Sequence, residues 1–139
     1  MVTLNPYLSF RGEAREAMTF YRSVLGGELS ITTFGESGTG GDPATADQVM
    51  HAHLQTPSGL TLMGADTPEG MELHPGDNVA ISLSGAAEDE AELRGYYDGL
   101  CEGARSTLPL EKAPWGDHFG MLTDRFGIGW MVNIAGSGG

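Results

Sequence analysis

His51 and His53 stand two apart in the run Val49 to Gln55. On an extended strand that spacing turns both imidazoles to one face, where they can move protons or bind a divalent metal. A metal would need a third donor, and His118 or Asp117 supplies one only if the loop after Trp115 folds toward that face. The alternative is a pair of histidines hydrogen-bonded for structure alone. A second candidate is the segment Pro114-Trp115-Gly116-Asp117-His118-Phe119-Gly120, which joins loop-forming residues to two aromatic rings. As a lip over a cavity it would stack Trp115 on a ligand and offer Asp117 to its polar end. As core, Trp115 would simply fill space. Met63, Met131 and Met121 carry flexible thioether side chains that suit either an adaptable ligand cavity or plain packing. Asp66 and Asp124 occupy turn positions, where aspartate caps backbone N–H groups, and His74 before Pro75 reads as structural.

The elements that must position these residues occur twice. Glu13 to Leu25 places Ala17, Phe20, Tyr21 and Val24 on one helical face, with Gly26 and Gly27 as stop signals. Ala87 to Cys101 repeats the pattern with Leu93, Tyr96, Tyr97 and Leu100, each 76 residues later, with acidic residues in the first turn. Extended apolar runs, Leu4 to Phe10 and Val79 to Leu83, precede the two helices. Val49 to Gln55 and Leu60 to Ala65 flank a Pro-Ser-Gly turn and read as a hairpin; Phe119 to Thr123 and Ile128 to Ile134 flank Asp-Arg-Phe-Gly and read as another, 68 residues later. Two offsets mean that the connection between helix and hairpin differs in length. Phe34 to Asp47, rich in Gly, Thr, Ser, Asp and Pro, reads as the loop that differs.

Duplicated strand, helix and antiparallel strands predict an α+β protein with two sheets, each carrying a helix on one face. Met50, Ala52 and Leu54 belong under the first helix, and His51, His53 and Gln55 on the opposite side. Likewise Val79, Ile81 and Leu83 oppose Asn78, Ala80 and Ser82, and Trp130 packs beneath the second helix, opposite Met131.

Composition narrows the function. With 19 acidic and 7 basic side chains the formal charge is -12, a field that repels phosphate backbones and anionic lipid, so neither nucleic acid nor a membrane is an expected partner. Solubility alone accounts for that acidity, and attraction of a cationic ligand is the other reading. The single Cys101 excludes an internal disulfide framework and a Cys-based zinc module, and points to a reducing compartment. No run approaches the roughly 18 apolar residues of a membrane span. A cytoplasmic protein of one domain, with modules at about 1–74 and about 75–136, is expected. No Ser-His-Asp order, G-x-S-x-G elbow or phosphate-binding loop is present, and Gly38 to Asp42 lacks the strand-to-helix context of a nucleotide site.

The strings YLSFRGEAREAMTFYRSVLGGEL, VMHAHL, LMGAD and PLEKAPWGDHFGMLTDRFGIGWMVNI together resemble the vicinal oxygen chelate superfamily, which includes glyoxalase I, extradiol dioxygenases, fosfomycin-resistance proteins and bleomycin-binding proteins. Within it they look like the PhnB-like subgroup, also labelled 3-demethylubiquinone methyltransferase-like; nothing in the residues supports S-adenosylmethionine binding. The resemblance covers nearly the whole chain. It implies two βαβββ modules forming a cupped, incomplete barrel, completed as a homodimer, with a divalent metal held by His and Glu at four sheet positions. Carried onto this chain those positions fall at Pro6, Met63, Asn78 and Met131, none of which is His, Asp or Glu. Proline offers no side-chain donor and methionine suits soft ions, so no metal or other cofactor is expected. The resemblance therefore implies a metal-independent protein that binds a small hydrophobic or cationic molecule in its cupped sheets, with His51, His53, Met63, Trp115, Asp117, His118, Met121 and Met131 as candidate contacts. The alternatives are a metal-dependent lyase, isomerase or dioxygenase with relocated ligands, and an assembly or regulatory partner without ligand.

Overall fold

The computed structural model describes residues 2–37, 45–68 and 70–136, and the chain divides into two units, residues 1–75 and 76–139. The first unit runs β1 (Tyr7–Phe10), α1 (Ala14–Leu25), β2 (Glu28–Thr33), a single helical turn α2 (Phe34–Ser37), β3 (Val49–Gln55) and β4 (Thr61–Asp66). The second runs β5 (Ile81–Gly85), a 3-10 turn (Ala87–Asp89), α3 (Glu90–Leu100), β6 (Ser106–Lys112), β7 (His118–Thr123) and β8 (Gly129–Ile134). Strand order is β1-β4-β3-β2 in one four-stranded sheet and β5-β8-β7-β6 in the other. In each the first strand is parallel to the last and the remaining pairs are antiparallel. Each unit is thus a βαβββ module, and neither sheet closes on itself.

The first unit buries Ala14, Ala17, Met18, Tyr21 and Leu25 of α1. That stripe lies one step round from the predicted one: Phe20 and Val24 are only half-buried, because Met18 and Leu25 take the centre of the contact. α1 packs on β2, β3 and β4, against a floor that includes Phe10, Ala52, Leu54 and Leu62. Its start is held by Asp66, whose carboxylate accepts from Ala14 N at 3.0 Å and Val49 N at 2.9 Å. Its end is closed by Gly26, whose N–H reaches Arg22 O at 2.8 Å. Gly27 then takes φ +95°, where any Cβ would stand 2.3 Å from Gln55 O, so only glycine lets the chain turn into β2. Phe34–Ser37, expected within a loop, is helical; residues 38–44 of that segment lie outside the described residues.

In the second unit Leu93, Tyr97 and Leu100 of α3 are buried, and the helix packs on β5 and β8 over Val132, Ile134 and the nearly inaccessible Trp130. Val79, expected under the helix, lies outside β5 and is 79 % exposed. Tyr97 donates from its hydroxyl to Leu108 O at 2.7 Å. Burial, with a smaller contribution from Cys101, pushes this phenol from the ordinary 10.0 up to about 12. The unfolded chain therefore releases the proton first. Stability is full below about pH 10 and declines toward pH 12, as the folded state alone keeps its proton. Urea unfolding across that interval should show the decline in the parent and a smaller one in Tyr97→Phe; equal declines would remove Tyr97 as the cause.

Both hairpin turns use the same bonds. Thr56 N donates to Leu60 O and Gly59 N to Thr56 O, each at 3.0 Å; Asp124 N donates to Ile128 O at 2.9 Å and Gly127 N to Asp124 O at 3.0 Å. The side chains also correspond, since Thr56 Oγ1 accepts from Leu60 N and Asp124 Oδ1 from Ile128 N, both at 3.0 Å. Asp124, fully buried, accepts from Phe126 N at 2.8 Å and Trp130 Nε1 at 2.9 Å as well. Both aspartates cap backbone N–H groups, Asp124 within its turn and Asp66, expected at a turn, from the last position of β4. Among the described residues, every buried side-chain nitrogen or oxygen has a partner and no helix is long and apolar enough to cross a membrane.

Candidate functional site

Strand alternation sorts the candidates. On the first sheet Leu8, Phe10, Ala52, Leu54, Leu62 and Gly64 line the helix side, so Tyr7, Ser9, His51, His53 and Met63 share the face turned away from α1. His53 pairs with Met63 across β3 and β4, and Met63 pairs with Tyr7 across β4 and β1. His51 lies diagonally beside them. Its ring stacks on Tyr7 with centroids 5.8 Å apart and planes 28° apart, and its Nδ1 lies 3.2 Å from the Tyr7 hydroxyl. The His51 and His53 rings are 6.5 Å apart. The face thus carries a contiguous Tyr7–His51–His53 cluster beside the Met63 thioether. Both imidazoles are half-buried, and Tyr7 is 51 % exposed.

Tyr7 is the residue that sequence reasoning missed, and its place corrects the register. The strand partner of Met63 is Tyr7, while Pro6 precedes β1 and contributes only its carbonyl, which accepts from Met63 N at 3.1 Å. In the second unit the partner of Met131 is Ser82, and Asn78 lies before β5, exposed. Two backbone bonds fix the equivalence independently: Thr67 N to Phe10 O and Ala135 N to Gly85 O close the two modules in the same way. Tyr7 and Met63 of the first module therefore correspond to Ser82 and Met131 of the second. None carries an imidazole or carboxylate, and the phenol and hydroxyl are poor donors to a divalent cation until ionised. Among the described residues no group of three or more His, Cys, Asp or Glu is placed to hold a metal.

On the second sheet the face turned away from α3 holds Met121 opposite Met131 and Leu108 opposite Met121, with Phe119 at its end. Leu108 and Met121 are 51 % and 38 % exposed, so this face carries accessible apolar surface. His118 is not on it. It pairs with Ile134 and so lies on the helix side, near the start of α3. Trp115 is 63 % exposed, which excludes it as core, and meets Phe119 edge-on at 5.8 Å. Asp117 accepts from Gly136 N at 2.9 Å and Asn133 Nδ2 at 3.1 Å. Those two donors, the backbone one foremost, hold its carboxyl below the ordinary carboxylate range. His74 pairs with Glu72 at 2.8 Å on an exposed stretch, in keeping with a structural role.

Comparison with known proteins follows this geometry. A family model described as 3-demethylubiquinone-9 3-methyltransferase matches residues 3–133. The crystal structure of protein PA1353 from Pseudomonas aeruginosa is 35 % identical, covers 99 % of this chain and 100 % of its own, and superposes with a TM-score of 0.82. Protein YjdN of Escherichia coli strain K12 is 26 % identical over an alignment of 144 positions that covers 94 % of this chain and 94 % of its own. A glyoxylase/bleomycin resistance protein/dioxygenase domain from Frankia sp. EAN1pec, 18 % identical with a TM-score of 0.64, covers 100 % of this chain and 95 % of its own and shares the fold alone.

Proposed function

The chain belongs to the family described as 3-demethylubiquinone-9 3-methyltransferase, with the fold of the glyoxalase/bleomycin resistance/dioxygenase superfamily, and from that premise we propose that it is a metal-independent small-molecule-binding protein. The carrying observation is the Tyr7–His51–His53–Met63 face, which combines two stacked or tilted rings, two imidazole hydrogen-bonding groups and a thioether where the superfamily positions hold no carboxylate. Such a face suits a ligand with an aromatic or apolar body and one or two polar atoms. The formal charge of -12 favours a cationic one. The lone cysteine supports a reducing, cytoplasmic setting, and a homodimer is the assembly that the resemblance implies.

A second reading rests on the shared face of His51 and His53. Both could ligate a metal if a substrate supplied the remaining oxygens, and Lewis acidity would then stabilise a developing enolate in a lyase, isomerase or dioxygenase reaction. Two measurements on the purified chain separate the readings. Elemental analysis is expected to find no stoichiometric divalent metal, even after growth with zinc, nickel, manganese and iron supplied. Thermal unfolding with a panel of small aromatic amines is expected to show a concentration-dependent rise in Tm for at least one of them. One bound metal ion per chain would overturn the first reading in favour of the second.

A further inference from the structure

The second unit contains a cavity of about 400 Å³ at the end of its sheet, by the start of α3. Its walls include Glu90 from the start of α3, Lys112 at the end of β6, Trp115 and Asp117 from the loop, His118 at the start of β7 and Ile134 at the end of β8. The first unit has an open cavity at the same corner, lined by Gly12, Arg15, Glu16, Asp47, Gln48 and Asp66. There the residue corresponding to Ile134 is Asp66, whose buried carboxylate ties the helix start to the start of the neighbouring strand. In the second unit an aliphatic side chain replaces that carboxylate, so no such tie is formed. The helix start is served instead by Asp89, which accepts from Ala86 N at 3.1 Å. Both corners are open, and the cavity of the second unit falls within the size range of small-ligand sites.

Charged groups of both signs line it, with His118 near both Asp117 and Glu90. Trp115 and Asp117 sit two residues apart in the loop, the indole largely exposed and the carboxylate fixed by Gly136 N and Asn133 Nδ2. An exposed indole beside a fixed carboxylate attracts an ammonium group through its ring face and by Coulomb attraction. Lys112 and His118 are direct cross-strand partners on the helix side, and both donate hydrogen bonds to an anion. Glu90 is engaged by Arg94 at 2.7 Å, which leaves Asp117 as the anionic pole. We propose that this cavity binds a compact zwitterion, an amino acid or betaine, with its ammonium on Trp115 and Asp117 and its carboxylate on Lys112 and His118.

The test is a titration of the 15N-labelled full chain with glycine betaine, tetramethylammonium and acetate, each against sodium chloride at equal ionic strength. Glycine betaine is expected to give saturable amide shifts in residues 112, 113, 115–118 and 134–136 and at the Trp115 indole. Tetramethylammonium should act on the same signals with weaker affinity, and acetate alone should leave them unmoved. Trp115→Ala should weaken betaine binding by about tenfold. Lys112→Gln should weaken betaine by about threefold and leave tetramethylammonium unchanged. No saturable response to betaine beyond the salt control, or shifts centred outside the cavity, would overturn the proposal. Equal affinity for betaine and tetramethylammonium, unchanged in Lys112→Gln, would overturn the anionic half of it. The site is built from residues of the second unit and the His51 face from residues of the first, so either result leaves the function proposed for that face standing or falling by its own test.

Discussion

Asp124→Ala is expected to lower the free energy of unfolding by about 3–5 kcal/mol, a large share of what a small domain possesses. The carboxylate is fully buried and accepts from three donors, the amides of Phe126 and Ile128 and the indole N–H of Trp130. Alanine withdraws the acceptor from all three, and each buried donor left without a partner costs about 1–3 kcal/mol. The Trp130 bond matters most to the second module, because it fixes the largest buried side chain beneath α3. Asp124→Asn should lose less. Its one carbonyl oxygen can still serve the two turn amides, while its NH2 group faces the indole N–H donor to donor. Urea unfolding followed by near-ultraviolet circular dichroism of the tryptophans measures both variants. A loss under about 1 kcal/mol in the alanine variant would mean that water replaces the carboxylate at little cost, and that Asp124 does not anchor the module.

That anchor is legible in the sequence, because Asp124 stands at a turn position between two strands. So is the duplication: Ala17 with Leu93 and Tyr21 with Tyr97 are buried pairs, each 76 residues apart. The register of the first strands is not. Three residues separate β1 from α1, whereas four separate β5 from α3, the extra one accommodated by the 3-10 turn Ala87–Asp89. Counting back from a helix through a turn of unknown length therefore lands one residue early in the first module, on Pro6 instead of Tyr7. Asn78 fails for a different reason. Alternation correctly placed Ser82 on the polar face, but Val79 looked like strand and is exposed chain, so the strand begins later than its apolar residues suggest. The side-chain direction of His118 was available and unused. His118 is an odd number of positions from Met121 on the same strand, which puts it on the opposite face. The strands Glu28–Thr33 and Ser106–Lys112 carried no clear alternation, the second being an edge strand interrupted by Pro109 and a register shift, so only the family resemblance predicted a strand in each place.

The double variant His51→Ala/His53→Ala is expected to abolish the rise in Tm that an aromatic amine gives the parent. At a ligand concentration of 100 times its Kd that rise corresponds to about 2.7 kcal/mol, or on the order of 10 °C for a domain of this size. The unliganded Tm should change far less, because neither ring is fully buried and both lie on the face turned away from α1. The two histidines are not equivalent. His51 holds the Tyr7 hydroxyl at its Nδ1, so its remaining nitrogen faces a ligand in a fixed orientation, whereas His53 lies beside Met63 and shares the apolar part of the surface. His51→Ala alone should therefore remove most of the selectivity between amines that differ in polar groups. His53→Ala should weaken all of them to similar degrees. Thermal unfolding of the three variants, with and without the amine that shifts the parent most, distinguishes these effects. A full ligand-induced rise in the double variant would place binding elsewhere in the chain. Loss of the rise together with a stoichiometric metal found in the parent would show that the imidazoles act as ligands to that ion and that the amine reports on it.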